Sequence, residues 1–281
     1  MTRPYAEVIG DPIAHSKSPL IHNFWLEKLG IDAEYRATRV TSLELGAYFE
    51  ERAHDPAWRG CNITMPHKIA ALDHVHKQRD PSFPIEPINT AVRREDRIEG
   101  MNTDTNGLIE PLMPLFGGID LSGRTPELGS RPAVVVGAGG VLYPAMSALS
   151  AFGCAPITVV ARDPAKLARI EQDYRGAHVR TLQLGEPLPP ARILLNASPL
   201  GMSGFAPFPY SVDALAADCI VFDMVYSPIE TKLLCAARGR GLRTVDGLQM
   251  LVAQAAAAFQ CFFSQAAPRQ YDHELRERLI A

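Results

Sequence analysis

Residues 131–140, RPAVVVGAGG, decide how this chain folds. The apolar run predicts a buried strand, the glycines predict a tight turn, and the residues after them predict a helix. Gly137 and Gly139 take the first two positions of the pattern GxGxxG, where one glycine permits the turn and the next lets the backbone approach a pyrophosphate. Leu142 stands at the third position. The stretch therefore predicts a nucleotide-binding strand–turn–helix unit, with a turn that binds nothing as the alternative.

The end of the next predicted strand, 155–162, bears on which dinucleotide binds. An acidic residue at this point accepts a hydrogen bond from the ribose 2′-hydroxyl of NAD, whereas basic residues pair with the 2′-phosphate of NADP. Arg162 and Lys166 favour NADP. Asp163 favours NAD, unless it only caps the following helix. The sequence predicts NADP and leaves NAD open.

The rest of the second half extends the same pattern. Apolar runs at 191–198 and 218–226 predict further strands, and 163–176 predicts a helix. Uninterrupted apolar strands are typical of a parallel sheet that is buried on both faces. Segment 114–130, rich in glycine and proline, predicts a domain boundary, and the chain from Gln249 onward is predicted to be mostly helical.

The first half also alternates strands with helices, which indicates a second α/β layer. Ser18 is a candidate N-cap for its first helix, and Gly30 a candidate stop. The predicted elements are strands at 5–10, 33–40 and 61–64, helices at 18–30, 42–55 and from His67, and a hairpin at 87–104 turning near Glu95–Asp96.

The composition excludes several classes of protein. With 281 residues, 47% apolar and 21% charged, the chain is predicted to form about two globular domains. A net charge of -3 predicts no nucleic-acid partner. Five scattered cysteines without a CxxC pair, a start without an apolar signal region, and an apolar stretch at 251–263 too short to cross a membrane predict a cytoplasmic protein. The histidines show no HExxH-like spacing, so a metal site is not predicted.

Small polar side chains cluster in the first half beside strand ends and turns, which suits a ligand rich in hydroxyl groups. Each cluster has a structural alternative, as a helix cap, a turn or a solvated strand face. Lys68 and Asp104 are the predicted pair for proton transfer, because a partly desolvated lysine gives up its proton more easily and a carboxylate orients it. The clusters are Ser16 and Ser18; Asn62, Thr64 and Lys68; Asn89 and Thr90; and Asn102, Thr103 and Asp104.

A set of short motifs runs along the chain: SKSP at 16–19, NxTxPxK at 62–68, INT at 88–90, NTD at 102–104, GAGG at 137–140, NAS at 196–198, DMVYSP at 223–228 and DGLQMLVAQAA at 246–256. Through these motifs the chain resembles the shikimate dehydrogenase family over nearly its whole length. The resemblance implies an α/β fold with two domains: an N-terminal α/β substrate domain, 1–108 and 247–281, and a Rossmann-type doubly wound parallel-sheet nucleotide domain, 109–246.

The resemblance also implies an activity: reversible hydride transfer between NADPH and 3-dehydroshikimate, giving shikimate, with Lys68 and Asp104 as the catalytic pair. It implies that Ser16 and Ser18 hold the substrate carboxylate. The implied contacts to the substrate hydroxyls are Asn62, Thr64, Asn89 and Gln254, with Tyr226 nearby. The implied cofactor residues are Gly137, Ala138, Gly139, Gly140, Arg162, Lys166, Asn196, Ser198, Met224 and Gly247.

Two alternatives stay open, the first because of a departure from the family pattern. Ala161-Arg162-Asp163 replaces the usual Asn-Arg-Thr, so an NAD-dependent paralogue acting on quinate is the first alternative. A catalytically silent metabolite sensor is the second, and the presence of both Lys68 and Asp104 disfavours it. His67, before the lysine, is predicted to be a packing residue. A small molecule is the predicted partner, with neither nucleic acid nor membrane, and the protein is predicted to be a monomer or a homodimer.

Overall fold

A computed structural model describes residues 3–77, 86–116, 131–175 and 178–281. The predicted boundary segment 114–130 lies outside the described residues from 117 onward. The strands are β1 (Tyr5–Gly10), β2 (Glu34–Arg39), β3 (Trp58–Ile63), β4 (Thr90–Arg93), β5 (Ile98–Met101), β6 (Arg131–Val136), β7 (Cys154–Ala161), β8 (Val179–Gln183), β9 (Ile193–Asn196), β10 (Ile220–Asp223) and β11 (Arg243–Asp246). The helices are α1 (Ser18–Leu29), α2 (Leu45–His54), α3 (Asp104–Leu112), α4 (Leu142–Ala151), α5 (Pro164–Asp173), α6 (Lys232–Gly239), α7 (Gly247–Phe263) and α8 (Asp272–Ile280).

The chain divides into two compact units. Unit 1 comprises Met1–Asp104 and Gln254–Ala281, and unit 2 comprises Thr105–Ala253. The functional domain limits at 108/109 and 246/247 stay a prediction. Among the described residues, no helix combines the length and the apolar character that crossing a membrane requires.

Unit 2 is built on a six-stranded parallel sheet in the order β11-β10-β9-β6-β7-β8. In terms of the unit's own strands this is the order 6-5-4-1-2-3, which belongs to the Rossmann fold. Alternate residues of β6 enter two separate cores: Val135 packs with α4 on one face, and Val134 packs with α6 on the other. Because both faces are covered, every residue from Ala133 to Val136 is buried. The predicted doubly wound nucleotide fold is confirmed.

Unit 1 is built on a five-stranded mixed sheet in the order β2-β1-β3-β4-β5. The first three strands are parallel, and β3, β4 and β5 form antiparallel pairs, as the predicted hairpin requires. Odd-numbered Ile9 and Ile63 pack with α2, whereas even-numbered Ala6 and Val8 pack with α7. This period-two alternation fixes which face of the sheet each polar side chain reaches.

Two local predictions are wrong. Ser18 is the first residue of α1, whose N-cap is Lys17 and has no side-chain cap bond. The predicted helix from His67 is only a 3-10 turn at Ala70–His74, because the chain then pairs with the end of the sheet. There the backbone N–H of His76 donates to the carbonyl of Ile98 at 2.8 Å.

Candidate active site

The predicted catalytic pair is in contact. Lys68 lies in the turn after β3, and Asp104 is the first residue of α3. The Lys68 Nζ donates to Asp104 Oδ2 at 2.5 Å, and the two side chains are 16% and 8% exposed. A charged pair so little exposed is coupled more strongly than a surface pair. It combines a proton donor with a carboxylate that fixes its position.

Asn89 holds the carboxylate from its other side. Its Nδ2 donates to Asp104 Oδ1 at 2.8 Å, while its Oδ1 accepts from the backbone N–H of Thr103 at 2.7 Å. The same Nδ2 lies 3.5 Å from Gln254 Oε1. Asn102 shapes the turn before α3, because its Oδ1 accepts from the backbone N–H of Asp104 at 2.9 Å. Asn89 therefore positions the Asp104 carboxylate directly. Asn102 shapes a turn, which is the structural alternative that the sequence left open for it.

Asn62 and Thr64 point to the same face of the sheet, as their spacing requires. Asn62 is 6% exposed, so the alternative of a solvated strand face is wrong. Its Nδ2 donates to Thr90 Oγ1 at 3.0 Å, and its Oδ1 accepts from the hydroxyl of Tyr35 at 2.6 Å. The half-buried Thr64 hydroxyl has no hydrogen-bond partner among the described residues. Thr64 is therefore free to bind a ligand, while Asn62 is already oriented.

The two serines form a separate group at the start of α1. Ser16 Oγ accepts from the backbone N–H of Ser18 at 3.3 Å, and Ser18 is 7% exposed. Backbone N–H groups at a helix start attract a carboxylate. Tyr226 lies in unit 2, in the segment after β10, where burial raises the pKa of its hydroxyl. Within unit 1, hydrogen bonds connect eight of the predicted residues, and Ser16 and Ser18 stand apart from this network in the described part of the chain. The eight are Asn62, Lys68, Asn89, Thr90, Asn102, Thr103, Asp104 and Gln254.

The glycine-rich turn of unit 2 has the geometry that a dinucleotide needs. Gly137 has φ +126°, and a Cβ there would meet the carbonyl oxygen of Ala197 at 2.7 Å. Only glycine fits such a position. A Cβ on Gly139 would meet nothing within 4 Å, so the backbone there faces open space. The turn therefore combines a forced tight bend with a free approach for a phosphate group.

A cavity of about 350 Å³ lies at this turn. Six predicted cofactor residues line it, and so do apolar residues after β8 and β9 that the sequence did not predict. Both segments follow strands of the parallel sheet, where ligands of such folds bind, and this position could have revealed them. The predicted lining residues are Gly137, Ala138, Gly139, Arg162, Lys166 and Ser198; the unpredicted ones are Leu184 after β8 and Pro199, Leu200, Phe205 and Ala206 after β9.

The charged residues after β7 divide into two roles. Asp163 is the N-cap of α5, and its Oδ1 accepts from the backbone N–H of Ala165 at 3.0 Å. Arg162 and Lys166 are exposed at the cavity, and neither side chain has a hydrogen-bond or ion-pair partner among the described residues. Two cationic side chains without a protein partner, beside a carboxylate that already caps a helix, suit the 2′-phosphate of NADP.

Four predicted cofactor residues do not line this cavity. Gly140 lies in the turn before α4, and Met224 follows β10. Asn196 is fully buried, and its Nδ2 donates to Asp223 Oδ1 and to the carbonyl of Leu200, each at 2.9 Å. A Cβ on Gly247 would meet the carbonyl oxygen of Met224 at 2.2 Å, so glycine allows the two segments to approach. Asn196 and Gly247 therefore shape the strand ends around the nucleotide turn.

Two family models match the chain. Residues 8–91 match the shikimate dehydrogenase substrate binding domain, and residues 247–274 match the shikimate 5'-dehydrogenase C-terminal domain. The shikimate dehydrogenase (NADP(+)) of Sphingopyxis alaskensis is 46% identical over 279 residues, which cover 99% of this chain and 97% of that protein.

Solved structures share the fold over the full length. Shikimate 5-dehydrogenase from Thermus thermophilus, in complex with NADP(H) and shikimate, is 31% identical with a TM-score of 0.81, covering 98% of this chain and 99% of that one. Ligand-free 5-ketofructose reductase of Gluconobacter sp. strain CHM43 is 26% identical with a TM-score of 0.84, covering 99% of each chain. Similar backbones therefore carry different substrate specificities.

Proposed function

Since this chain belongs to the shikimate dehydrogenase family, we propose that it catalyses the reversible NADP-dependent reduction of 3-dehydroshikimate to shikimate. The two family models and the 46% identical relative confirm the resemblance that the motifs indicate. The observation that carries the proposal is the ion pair of Lys68 with Asp104 among buried amides and hydroxyls. A ketone reductase needs such a proton donor beside groups that orient a polyhydroxylated substrate.

The proton step belongs to Lys68. NADPH, when bound, supplies the hydride that the carbonyl carbon accepts. The Lys68 ammonium stabilises the negative charge that develops on the carbonyl oxygen and donates a proton to it. In the reverse direction the neutral amine accepts that proton from the substrate hydroxyl. Asp104 keeps Lys68 in place, and Asn89 keeps Asp104 in place through the 2.8 Å bond to its second oxygen.

The substrate contacts follow from which polar atoms remain available. The Thr64 hydroxyl accepts a hydrogen bond from a substrate hydroxyl or donates one to it, and Asn62 adds an amide of fixed orientation on the same face of the sheet. Ser16 and Ser18, at the start of α1, bind the carboxylate together with backbone N–H groups. Gln254 and Tyr226 complete the proposed set. Asn89 acts mainly through Asp104, because its amide is already engaged with protein atoms.

The cofactor is held by the residues of the glycine turn and of its neighbouring strand ends. Gly137 to Gly139 fit the pyrophosphate, since the turn has no room for a side chain at Gly137 and faces open space at Gly139. Arg162 and Lys166 pair with the 2′-phosphate. Asp163 also lines the cavity, but its Oδ1 caps α5, so only Oδ2 would remain for the ribose hydroxyl of NAD. The proposed preference is therefore NADP over NAD.

Initial rates of oxidation of shikimate and of quinate, each with NADP and with NAD, test this function. Rapid turnover of shikimate with NADP is expected. A preference for quinate or for NAD would contradict the proposed specificity while leaving the dehydrogenase chemistry in place. No turnover in any of the four assays would contradict the enzyme itself and favour a silent sensor.

The proposed setting is the cytoplasm, with the enzyme as a monomer or homodimer. All five cysteines are free thiols, as a reducing compartment favours. Sedimentation equilibrium of the purified protein distinguishes the two oligomeric states. A larger assembly would contradict both.

A further inference from the structure

A buried tyrosine, Tyr35, bonds to Asn62, a proposed substrate-binding residue. The Tyr35 hydroxyl donates to Asn62 Oδ1 at 2.6 Å. Tyr35 is 2% exposed and lies on β2, whereas Asn62 lies on β3. The proton step described above makes no use of Tyr35.

The register of the sheet explains how the two side chains meet. Tyr35 pairs with Ala6 of β1, and Asn62 pairs with Val8 of the same strand. Residues two apart on β1 share a face, so both side chains lie on the face that packs with α7. Two strand spacings and two residue rises separate the two Cα atoms by about 12 Å, which a tyrosine, an amide and one hydrogen bond span. The small side chain of Ala6 leaves room for the ring to cross β1.

The phenol keeps its proton and needs an acceptor for it. Burial, and then the neighbouring Cys61 and Glu7, raise the pKa of Tyr35 well above its ordinary value, so the hydroxyl keeps its proton. If the Asn62 amide were flipped, its NH₂ group would face the hydroxyl, and the phenolic proton would lose its only acceptor among the described residues. A buried unpaired donor is unfavourable. Tyr35 therefore selects the orientation with Oδ1 on its own side.

The other neighbours of the amide favour the same orientation less strictly. Thr90 Oγ1 accepts from Asn62 Nδ2 at 3.0 Å and donates its own proton to Asn89 Oδ1 at 3.0 Å. The hydroxyl can, however, rotate and donate to Asn62 instead, because Asn89 Oδ1 also accepts from Thr103. The carbonyl of Asn89 accepts only, but it lies 3.4 Å away, where a hydrogen bond is weak. Thr90 therefore has other partners for its proton, whereas the Tyr35 hydroxyl has none but Asn62 Oδ1 among the described residues, so Tyr35 restricts the amide most strongly.

The ring of Tyr35 is itself held by packing. It stacks on His22 of α1 with centroids 4.0 Å apart and planes 5° apart. Burial lowers the pKa of His22 to about 3, so the imidazole is neutral near neutral pH. Neither ring nitrogen of His22 has a hydrogen-bond partner among the described residues. His22 therefore acts on Tyr35 through stacking alone.

We propose that Tyr35 is a positioning residue, which fixes the Asn62 amide in the single orientation that binds the substrate hydroxyl. The proposal rests on the proposed function, since it takes Asn62 to contact the substrate. Without the phenolic donor, the amide samples both orientations, and only one presents the correct atom. The effect falls on substrate binding, because in the described part of the chain the Tyr35 hydroxyl bonds to Asn62 and to neither Lys68 nor Asp104.

The test is a double-mutant cycle of Tyr35→Phe and Asn62→Ala, with wild-type turnover of shikimate measured first. Tyr35→Phe deletes one oxygen and keeps the ring that stacks on His22, and the melting temperature verifies that it folds. Its KM for shikimate is expected to rise about three- to tenfold, with kcat and the KM for NADP within about twofold. In the Asn62→Ala background, Tyr35→Phe is expected to change KM by less than about twofold.

Tyr48→Phe is the matched control, because it removes another buried hydroxyl of unit 1. The Tyr48 hydroxyl donates to Glu7 Oε1 at 2.9 Å, on the opposite face of the sheet. This variant is expected to lower the melting temperature without changing the KM for shikimate. An unchanged KM in Tyr35→Phe, or an equal rise in the Asn62→Ala background, overturns the positioning role while the proposed function stands. No turnover by the wild-type protein overturns both.

Discussion

Two regions of the molecule are built in opposite ways: the polar cluster of Lys68, Asn89 and Asp104, and the cationic rim of the nucleotide cavity, which is Arg162 and Lys166. In the cluster, both Asp104 oxygens are taken, one by Lys68 at 2.5 Å and one by Asn89 at 2.8 Å. At the rim, Arg162 and Lys166 are exposed and have no side-chain partner among the described residues. The cluster uses its hydrogen bonds to fix its own geometry, while the rim keeps its charges for a ligand.

This difference separates two kinds of site. Groups that act on a transition state must stand in place before the substrate arrives, and buried bonds achieve this. Groups that recognise a charged phosphate need less support from protein bonds, because a lysine ammonium acts as a point charge and the arginine fork is rigid in itself. Substitutions in the cluster should therefore lower turnover strongly, and substitutions at the rim should change cofactor binding moderately.

The largest effect is expected for Lys68→Ala. Loss of the proton donor should lower kcat by about 10²-fold or more, while the KM for shikimate stays within a few fold. Steady-state kinetics in the direction of shikimate oxidation measures both constants. Lys77→Ala is the matched control, since Lys77 also pairs with a carboxylate, Glu86, at 2.6 Å and is 11% exposed. Near-normal turnover in Lys68→Ala would remove Lys68 from the mechanism.

The next effect tests whether the ion pair acts as one unit. Asp104→Asn keeps the size of the side chain but removes the charge that holds Lys68, and kcat should fall by about tenfold or more. If Asp104 acts through Lys68, the double variant should be no slower than Lys68→Ala alone. Kinetics of the four proteins in the cycle measures this coupling. Additive losses would show that Asp104 has a role independent of Lys68.

A smaller effect is expected at the rim. Arg162→Ala should raise the KM for NADP about tenfold and leave the KM for NAD unchanged, because only NADP carries the 2′-phosphate. Arg169→Ala is the control: Arg169 is an exposed arginine of α5 that pairs with Asp173 and does not line the cavity. Equal changes for the two cofactors would contradict the assignment of Arg162 to the phosphate.

The two units that carry these regions also differ in how far the sequence predicts them. The inner strands of unit 2 are continuous apolar runs, and they were predicted because burial on both faces demands such runs. The strands β8 and β11 were missed. They are the outer strands of the sheet, and a strand with a partner on one side only can carry polar residues such as Arg180 and Arg243.

In unit 1 the sequence predicted the chemical groups but not their contacts. Lys68 and Asp104 were singled out by residue type, yet they are 36 residues apart, and only the fold brings them together. Tyr35 left no signal at all, because a tyrosine within a strand is common. Its link to Asn62 depends on both strands pairing with β1, which is a property of the register and not of either segment.

The smallest effect concerns Asp163, which lies beside the two rim cations but bonds to a protein group, as the residues of the cluster do. Its carboxylate caps α5, so Asp163→Ala should cost about 1 kcal/mol of stability and leave the NADP to NAD preference unchanged. Denaturant unfolding gives the first quantity, and initial rates with both cofactors give the second. Asp163→Asn separates cap from charge: asparagine caps as well as aspartate, so it should keep the stability. If Asp163→Asn instead shifted the preference by about tenfold toward NADP, the carboxylate would be opposing the phosphate, and the rim would be tuned by repulsion as well as by attraction.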